Sequence, residues 1–131
     1  MSHSTSLRGY IENLERLADT PEEEFLSDRD KIASAKYHFV VSIECCLDIA
    51  NHVIAEEGFA FPETNVDSFL TLTDNGWLPE EMRDDLSAMT KFRNRLVHLY
   101  WKIDDTRVYQ YLQDSVTDLR RFVSEIARRL R

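Results

Sequence analysis

Asp28–Gly58, DRDKIASAKYHFVVSIECCLDIANHVIAEEG, is the stretch whose reading decides the fold. Ile32, Phe39, Ile43, Leu47, Ala50 and Ile54 recur along it at the spacing of one helical face. Asp28 suits an N-cap, because its carboxylate can accept from the first free backbone N–H groups. Gly58 is a natural stop, since glycine enters the left-handed region without steric penalty. The spacing therefore predicts one long helix ending at Glu57. A second row runs beside the apolar stripe at i+4 intervals, through Val40, Glu44, Asp48 and His52, with Asn51 next to it. Polar groups so placed either meet water or line a shared cleft.

Working outward, Leu7, Tyr10, Ile11, Leu14 and Leu17 predict a helix from about Ser6 to Ala18. Asp19-Thr20-Pro21 ends it, and an acidic helix start or turn continues to Ser27. On the other side, Phe59 to Asn65, with Pro62, reads as a connector to a short helix from Val66 to Asp74. Asn75-Gly76 terminates that helix. Pro79 then opens a fourth element, with Glu80 and Glu81 at the positive end of its dipole, running to Tyr100 or Trp101. Asp104-Asp105-Thr106 caps a fifth, whose stripe is Val108, Leu112, Val116, Leu119, Phe122 or Val123, Ile126 and Leu130. No segment alternates with period two, and there is no internal repeat. The expected fold class is all-α: an antiparallel helical bundle of three long and two shorter helices, one domain over residues 1–131.

With 43% apolar and 31% charged residues, the chain has the balance of a globular protein and not of a disordered one. Cys45 and Cys46 are adjacent within the long helix, so they read as small buried side chains of a reducing compartment. No signal peptide is apparent, and no stretch approaches the length of a membrane span, so a cytoplasmic protein with no membrane association is expected. The net charge of −8 argues against a general nucleic-acid coat protein. Its distribution is uneven. Residues 91–131 hold ten Lys and Arg against five Asp and Glu, a net of +5, whereas residues 1–90 hold six against nineteen, a net of −13. A local basic surface on an acidic body is implied.

The basic region begins with Lys91-Phe92-Arg93-Asn94-Arg95-Leu96-Val97-His98-Leu99-Tyr100-Trp101. At about 100° per residue, Met82, Leu86, Met89, Phe92, Leu96 and Tyr100 share one face of a helix, with Arg93 at its edge. His98 lies about 140° around from Arg93 and shares a flank with Asn94. Tyr100 is therefore expected near the core, with Asn94 and His98 looking outward. Arg93 and His98 do not both point into one narrow pocket of a single straight helix. A second copy of the helix, packed alongside about a two-fold axis, would bring such groups into one composite cleft.

Arg93-Asn94-Arg95-Leu96-Val97-His98-Leu99-Tyr100 fits the pattern Arg-x4-His-x-Tyr with a polar residue after the Arg. This resembles the signature of the HEPN superfamily, and specifically of HepT-like ribonuclease toxins. The resemblance extends over most of the chain, through Asp48-Ile49-Ala50-Asn51-His52, Pro62 before Phe69 and Leu72, and Asp104 with Val108-Tyr109. It implies an α-helical, two-fold homodimer with a metal-independent endoribonuclease site at the interface and no cofactor. It also implies an MntA-like minimal nucleotidyltransferase antitoxin, which silences the toxin by adenylylating the motif tyrosine, Tyr100. Bulk and negative charge placed there would exclude an RNA phosphate.

The residue chemistry agrees. RNA is cleaved with its own 2′-hydroxyl as nucleophile, so the protein must supply proton transfer and positive charge. His98 suits the first near neutral pH, and Arg93 suits the second. Asn94 can orient either the histidine or the ribose. Lys91 and Arg95 are candidates to hold neighbouring phosphates, and Asp48 to hydrogen-bond the motif across the bundle. Glu44, Asp48 and His52 are a poor metal row, being mixed ligands on one helix with no second cluster, so no metal site is expected. Trp77, Trp101, Tyr109 and Tyr111 are read as packing residues. The alternative reading is a non-catalytic helical module that dimerises and binds a nucleotide or a nucleotidyltransferase partner.

Overall fold

The computed structural model describes residues 3–130, and every regular element within them is helical. Seven α-helices follow one another: α1 His3–Ala18, α2 Glu22–Leu26, α3 Arg29–Glu57, α4 Asn65–Asp74, α5 Arg83–His98, α6 Asp105–Asp114 and α7 Val116–Arg129. Single 3-10 turns stand at Glu80–Met82 and Tyr100–Lys102. The long helix predicted from Asp28 to Glu57 is α3. Asp28 caps it by accepting from the backbone N–H of Asp30 at 3.0 Å and of Lys31 at 3.1 Å. Gly58 ends it with φ +71°, a conformation that side-chain-bearing residues resist.

Helix α3 packs against each of the other six. Phe39, Ile43, Cys46, Ala50 and Ile54 are fully buried on it, as are Leu7, Ile11 and Leu14 on α1 and Leu86 on α5. Alone among the described helices, α3 is also long and apolar enough to cross a membrane, where the sequence suggests no such stretch. Its apolar side chains are instead the centre of the bundle's core.

One predicted element is divided and another is a single short helix. The acidic segment after Pro21 forms the short α2, anchored by the fully buried Phe25. The element expected from Asp104 to Leu130 breaks at Ser115 into α6 and α7, although Leu112 and Val116 on either side both stay buried. The stripe stays buried across the break as far as Ile126, whereas Leu130, its last predicted member, is 66% exposed. Asp104 caps α6 as anticipated, accepting from Thr106 N–H at 2.9 Å. Trp77 and Tyr111 are half-buried against the core, and Tyr109 adds a hydrogen bond from its hydroxyl to the Thr20 carbonyl at 2.6 Å. Trp101 does not pack: it is 77% exposed.

Three aromatic rings join α3, α5 and α6. Phe92 lies edge-on to Phe39, with centroids 5.4 Å apart, and stacks flat on Tyr111 at 3.7 Å. Replacing Phe39 with alanine removes one wall of this junction from the dry core. The expected loss is about 3–5 kcal/mol, read as a lower urea midpoint with an unchanged slope.

Asp118 on α7 is half-buried near Asp85, and its carboxyl is pushed up to about 6 by burial first and by Asp85 second, against a lowering by Arg121. The folded value lies above the ordinary 3.8, so the native state keeps this proton where the unfolded chain has released it. Stability therefore falls as pH rises through that window. Asp118→Asn should be more stable than the parent by about 1–2 kcal/mol above pH 6, allowing for solvent contact, and the gain should vanish near pH 4. Urea midpoints measured across that range check this.

Candidate functional site

Arg93 follows Phe92 on α5, so the aromatic junction fixes its direction. The guanidinium is held at two points. Its Nη2 donates to Glu44 Oε1 on α3 at 2.6 Å, and its Nη1 donates to Asn94 Oδ1 at 2.9 Å. The Arg93 side chain is only 17% exposed, and its Nε is buried without a hydrogen-bond partner. A buried donor with no acceptor is uncommon, and at a binding site it marks capacity left for a ligand. Arg93 is thus a half-buried cation oriented by an acid from a different helix.

The carboxylate that reaches Arg93 is Glu44 and not Asp48, which the sequence suggests for that role. Asp48 is exposed one helical turn further along α3. It lines, with Glu44, Asn51, Asn65 and Arg93, a polar depression of about 190 Å³. His52, the last of the row, pairs instead with Glu56 at 3.9 Å. Glu44 was visible as an acid on the flank of α3, but the sequence does not say which flank position faces Arg93.

Helix α5 ends at His98, and Leu99 leaves the helical region with φ −131° and ψ +36°. His98 is exposed, and its side chain hydrogen-bonds to no other described residue. Arg93 and His98 stand five residues apart, about 7.5 Å along the axis. Asn94 is half-buried, its amide oxygen taken by Arg93. Lys91 is exposed, and the half-buried Arg95 lies with its guanidinium carbon 5.8 Å from the Phe92 ring centre.

Tyr100 departs from its predicted place on the buried stripe. A continued helix would have carried it to the core, but the chain turns into the 3-10 segment and leaves Tyr100 44% exposed. The turn is fastened from α3 by Lys36, which sequence reasoning missed. The Lys36 side chain is 8% exposed, its Nζ sits 4.3 Å from the centre of the Tyr100 ring, and it lies 3.4 Å from the Tyr100 carbonyl and 3.6 Å from Asp105 Oδ1. A lysine in an amphipathic helix normally signals solvent, so nothing local marked it. Val97, Leu99, Tyr100 and Trp101 together present consecutive exposed apolar side chains, flanking His98.

Neither cysteine supplies a reactive thiolate beside Arg93. Burial pushes the Cys46 thiol well up, and burial with the nearby Asp48 and Glu44 charges raises that of Cys45. A cavity of about 500 Å³ lies elsewhere, between α1, α3 and α7. Leu7, Ile49, Phe122 and Ile126 line it, and none of Arg93, Asn94, His98 or Tyr100 does.

Fold and site together define an all-helical protein that presents an arginine, an asparagine, a histidine and a tyrosine around the end of one helix. The chain belongs to the HepT-like ribonuclease family, whose model, described as Ribonuclease HepT-like, matches residues 7–126. It is similar to an mRNA nuclease HepT from Shewanella oneidensis, 31% identical over 83 residues, covering 63% of this chain and 62% of that protein. The match thus spans just under two thirds of that relative's length. A tRNA nuclease HepT from Aphanizomenon flos-aquae is 21% identical over 117 residues, 89% of this chain and 80% of that one.

The fold is shared with solved structures. A tri-AMPylated Shewanella oneidensis HEPN toxin, solved in complex with an MNT antitoxin, superposes with a TM-score of 0.88 at 24% identity, over 96% of this chain and 94% of that one. A cytosolic protein of unknown function from Bacillus subtilis, YutE, gives 0.81 at 23% identity, over 96% and 87%.

The Glu44–Arg93 pair yields a direct test. Glu44→Ala frees a half-buried guanidinium from its main restraint. The stability cost should be small, about 1 kcal/mol, because Glu44 itself is 44% exposed. Urea unfolding of Glu44→Ala beside the parent checks this.

Proposed function

We propose that this protein is an endoribonuclease toxin, cutting RNA without a metal at a site that α5 contributes from each of two subunits. The observation that carries the reading is the coincidence of family membership over residues 7–126 with a restrained, partly unsatisfied Arg93 one and a half turns from an exposed His98. In this reaction a histidine takes the proton from the ribose 2′-hydroxyl, and the 2′-oxygen attacks the adjacent phosphorus. The bond to the 5′-oxygen breaks, and that oxygen receives a proton from a second acid. A 2′,3′-cyclic phosphate and a 5′-hydroxyl result. The two His98 side chains of a dimer supply base and acid. Arg93 meets the charge that accumulates on the non-bridging phosphate oxygens. Asn94 keeps the guanidinium in plane. Lys91 and Arg95 hold neighbouring phosphates, and Asp48 borders the polar depression at Arg93.

The exposed Val97, Leu99 and Trp101 fit the two-fold contact, because an apolar run of this kind is costly to leave in water. The partner is a minimal nucleotidyltransferase antitoxin, in line with the complexes formed by the structural neighbours. Its target is Tyr100, which the 3-10 turn leaves open to it. The phenol oxygen would attack the α-phosphorus of a nucleoside triphosphate, releasing pyrophosphate and passing its proton to solvent or to the partner's base. The attached nucleotide would then obstruct the phosphate site by bulk and charge. A cytoplasmic setting, where both thiols stay reduced, goes with this reading.

The decisive assay is cleavage of single-stranded RNA by purified protein in excess EDTA. Wild type should cut, whereas His98→Ala and Arg93→Ala should each lose at least about a hundredfold in rate. Cleavage that requires added metal, or that survives both substitutions, would contradict the proposal. A stable complex with the partner but no cleavage under any condition would favour the non-catalytic module. Intact mass after co-expression with the nucleotidyltransferase tests the modification. Increments of one or more AMP groups should appear in wild type and be absent from Tyr100→Phe.

A further inference from the structure

Two polar depressions meet on the side of Arg93 away from His98. The first is the 190 Å³ recess at Glu44 and Arg93. The second, about 380 Å³, lies where α3 passes into α4 and is walled by Phe61, Asn51, Asn65 and Ser68. Asn51 and Asn65 line both, so the two adjoin. Glu44 and Asn51 are seven residues apart on α3, about 10 Å along the axis. That is the separation of a phosphate from a flanking base of the same strand, not of a remote surface.

The groups in the groove select among RNA components. Glu44, Asp48 and Glu63 contribute carboxylates that repel a second phosphate, so the space suits an uncharged partner. Phe61 is 68% exposed on the connecting loop, a large aromatic face held at the rim without a protein ring against it. The Asn51 amide is fixed at one end by Ser68, whose hydroxyl donates to Asn51 Oδ1 at 2.8 Å, while its nitrogen has no partner among the described residues. An open aromatic face beside an anchored amide is the equipment for taking one unpaired base: the ring stacks on it and the amide meets its edge.

We infer that the groove between Arg93 and Phe61 is a nucleobase subsite, receiving the unpaired base next to the phosphate held by Arg93. Phe61 stacks on the base and Asn51 reads its hydrogen-bonding edge. The subsite rests on the ribonuclease reading above, and it makes Asn51 and Phe61 determinants of where RNA is bound and cut.

The test uses the full-length His98→Ala protein, which leaves RNA intact, and labelled single-stranded oligoribonucleotides in which each base in turn is removed. One abasic position should weaken binding about tenfold. Adding Phe61→Ala should weaken binding of the intact strand by a similar factor and erase the penalty at that position. Asn51→Ala should level the preference among the four bases there. Phe61 is exposed, so the variant should retain its helical circular dichroism and melting temperature, which excludes misfolding as the cause. Unchanged binding on loss of Phe61, or an abasic penalty that persists in its absence, overturns the subsite. If wild type still cleaves RNA in that case, the ribonuclease reading stands alone. If the parent neither binds nor cleaves RNA, both fall. Loss of binding to the purified nucleotidyltransferase, with RNA binding intact, would assign the groove to the protein partner and overturn the subsite.

Discussion

Phe92 is held between Phe39 and Tyr111, and this contact sets the rotational phase of α5. A helix that buries Phe92 in this way has no freedom over where its next residue points. Arg93 must then enter the seam between α5 and α3, where Glu44 meets it. Five residues on, the same phase carries His98 into solvent. A restrained cation and an exposed histidine on one helix follow from a single packing decision in the core. The site is therefore as rigid as the bundle on one side and as open as the surface on the other.

Much of the fold was legible because the strongest signals are local. Asp28, Gly58 and Asp104 act as caps by their own side-chain or backbone chemistry, whatever surrounds them. The apolar stripe of α3 identifies a core helix for the same reason. The division of the last element at Ser115 was not legible, since Leu112 and Val116 keep their spacing through it. Nor was the fate of Tyr100. Its place on the stripe assumed a helix continuing past His98, whereas Leu99 turns out of the helical region and a buried lysine from α3 fastens the new direction.

The candidate site divides along the same line. The motif Arg93, Asn94, His98 and Tyr100 was readable through its resemblance to the HepT-like pattern, and its residue types suit the proton transfer and phosphate binding which that resemblance implies. Its supporting contacts were not. Glu44 and Lys36 reach the motif from α3 across the bundle, 49 and 64 residues away in the chain. Asp48, the neighbour chosen from sequence, has the right charge on the wrong turn. Pairings of this kind depend on the relative rotation of two helices, which one strand of sequence does not encode locally.

The chain offers one Arg93, paired with Glu44, and one His98, and among the described residues no second histidine is hydrogen-bonded to either. The proposed reaction, with a proton taken from the ribose 2′-hydroxyl and another given to the leaving 5′-oxygen, needs more than this, and the exposed Val97, Leu99 and Trp101 flank the histidine where a second copy would supply it. The central claim is that the site belongs to a pair. Sedimentation velocity and RNA cleavage, measured together on Val97→Asp across a range of concentrations, test it most directly. The account predicts a folded monomer without cleavage, and a wild-type dimer whose activity per subunit falls as dilution dissociates it. A monomer that cuts RNA as fast as wild type would contradict it.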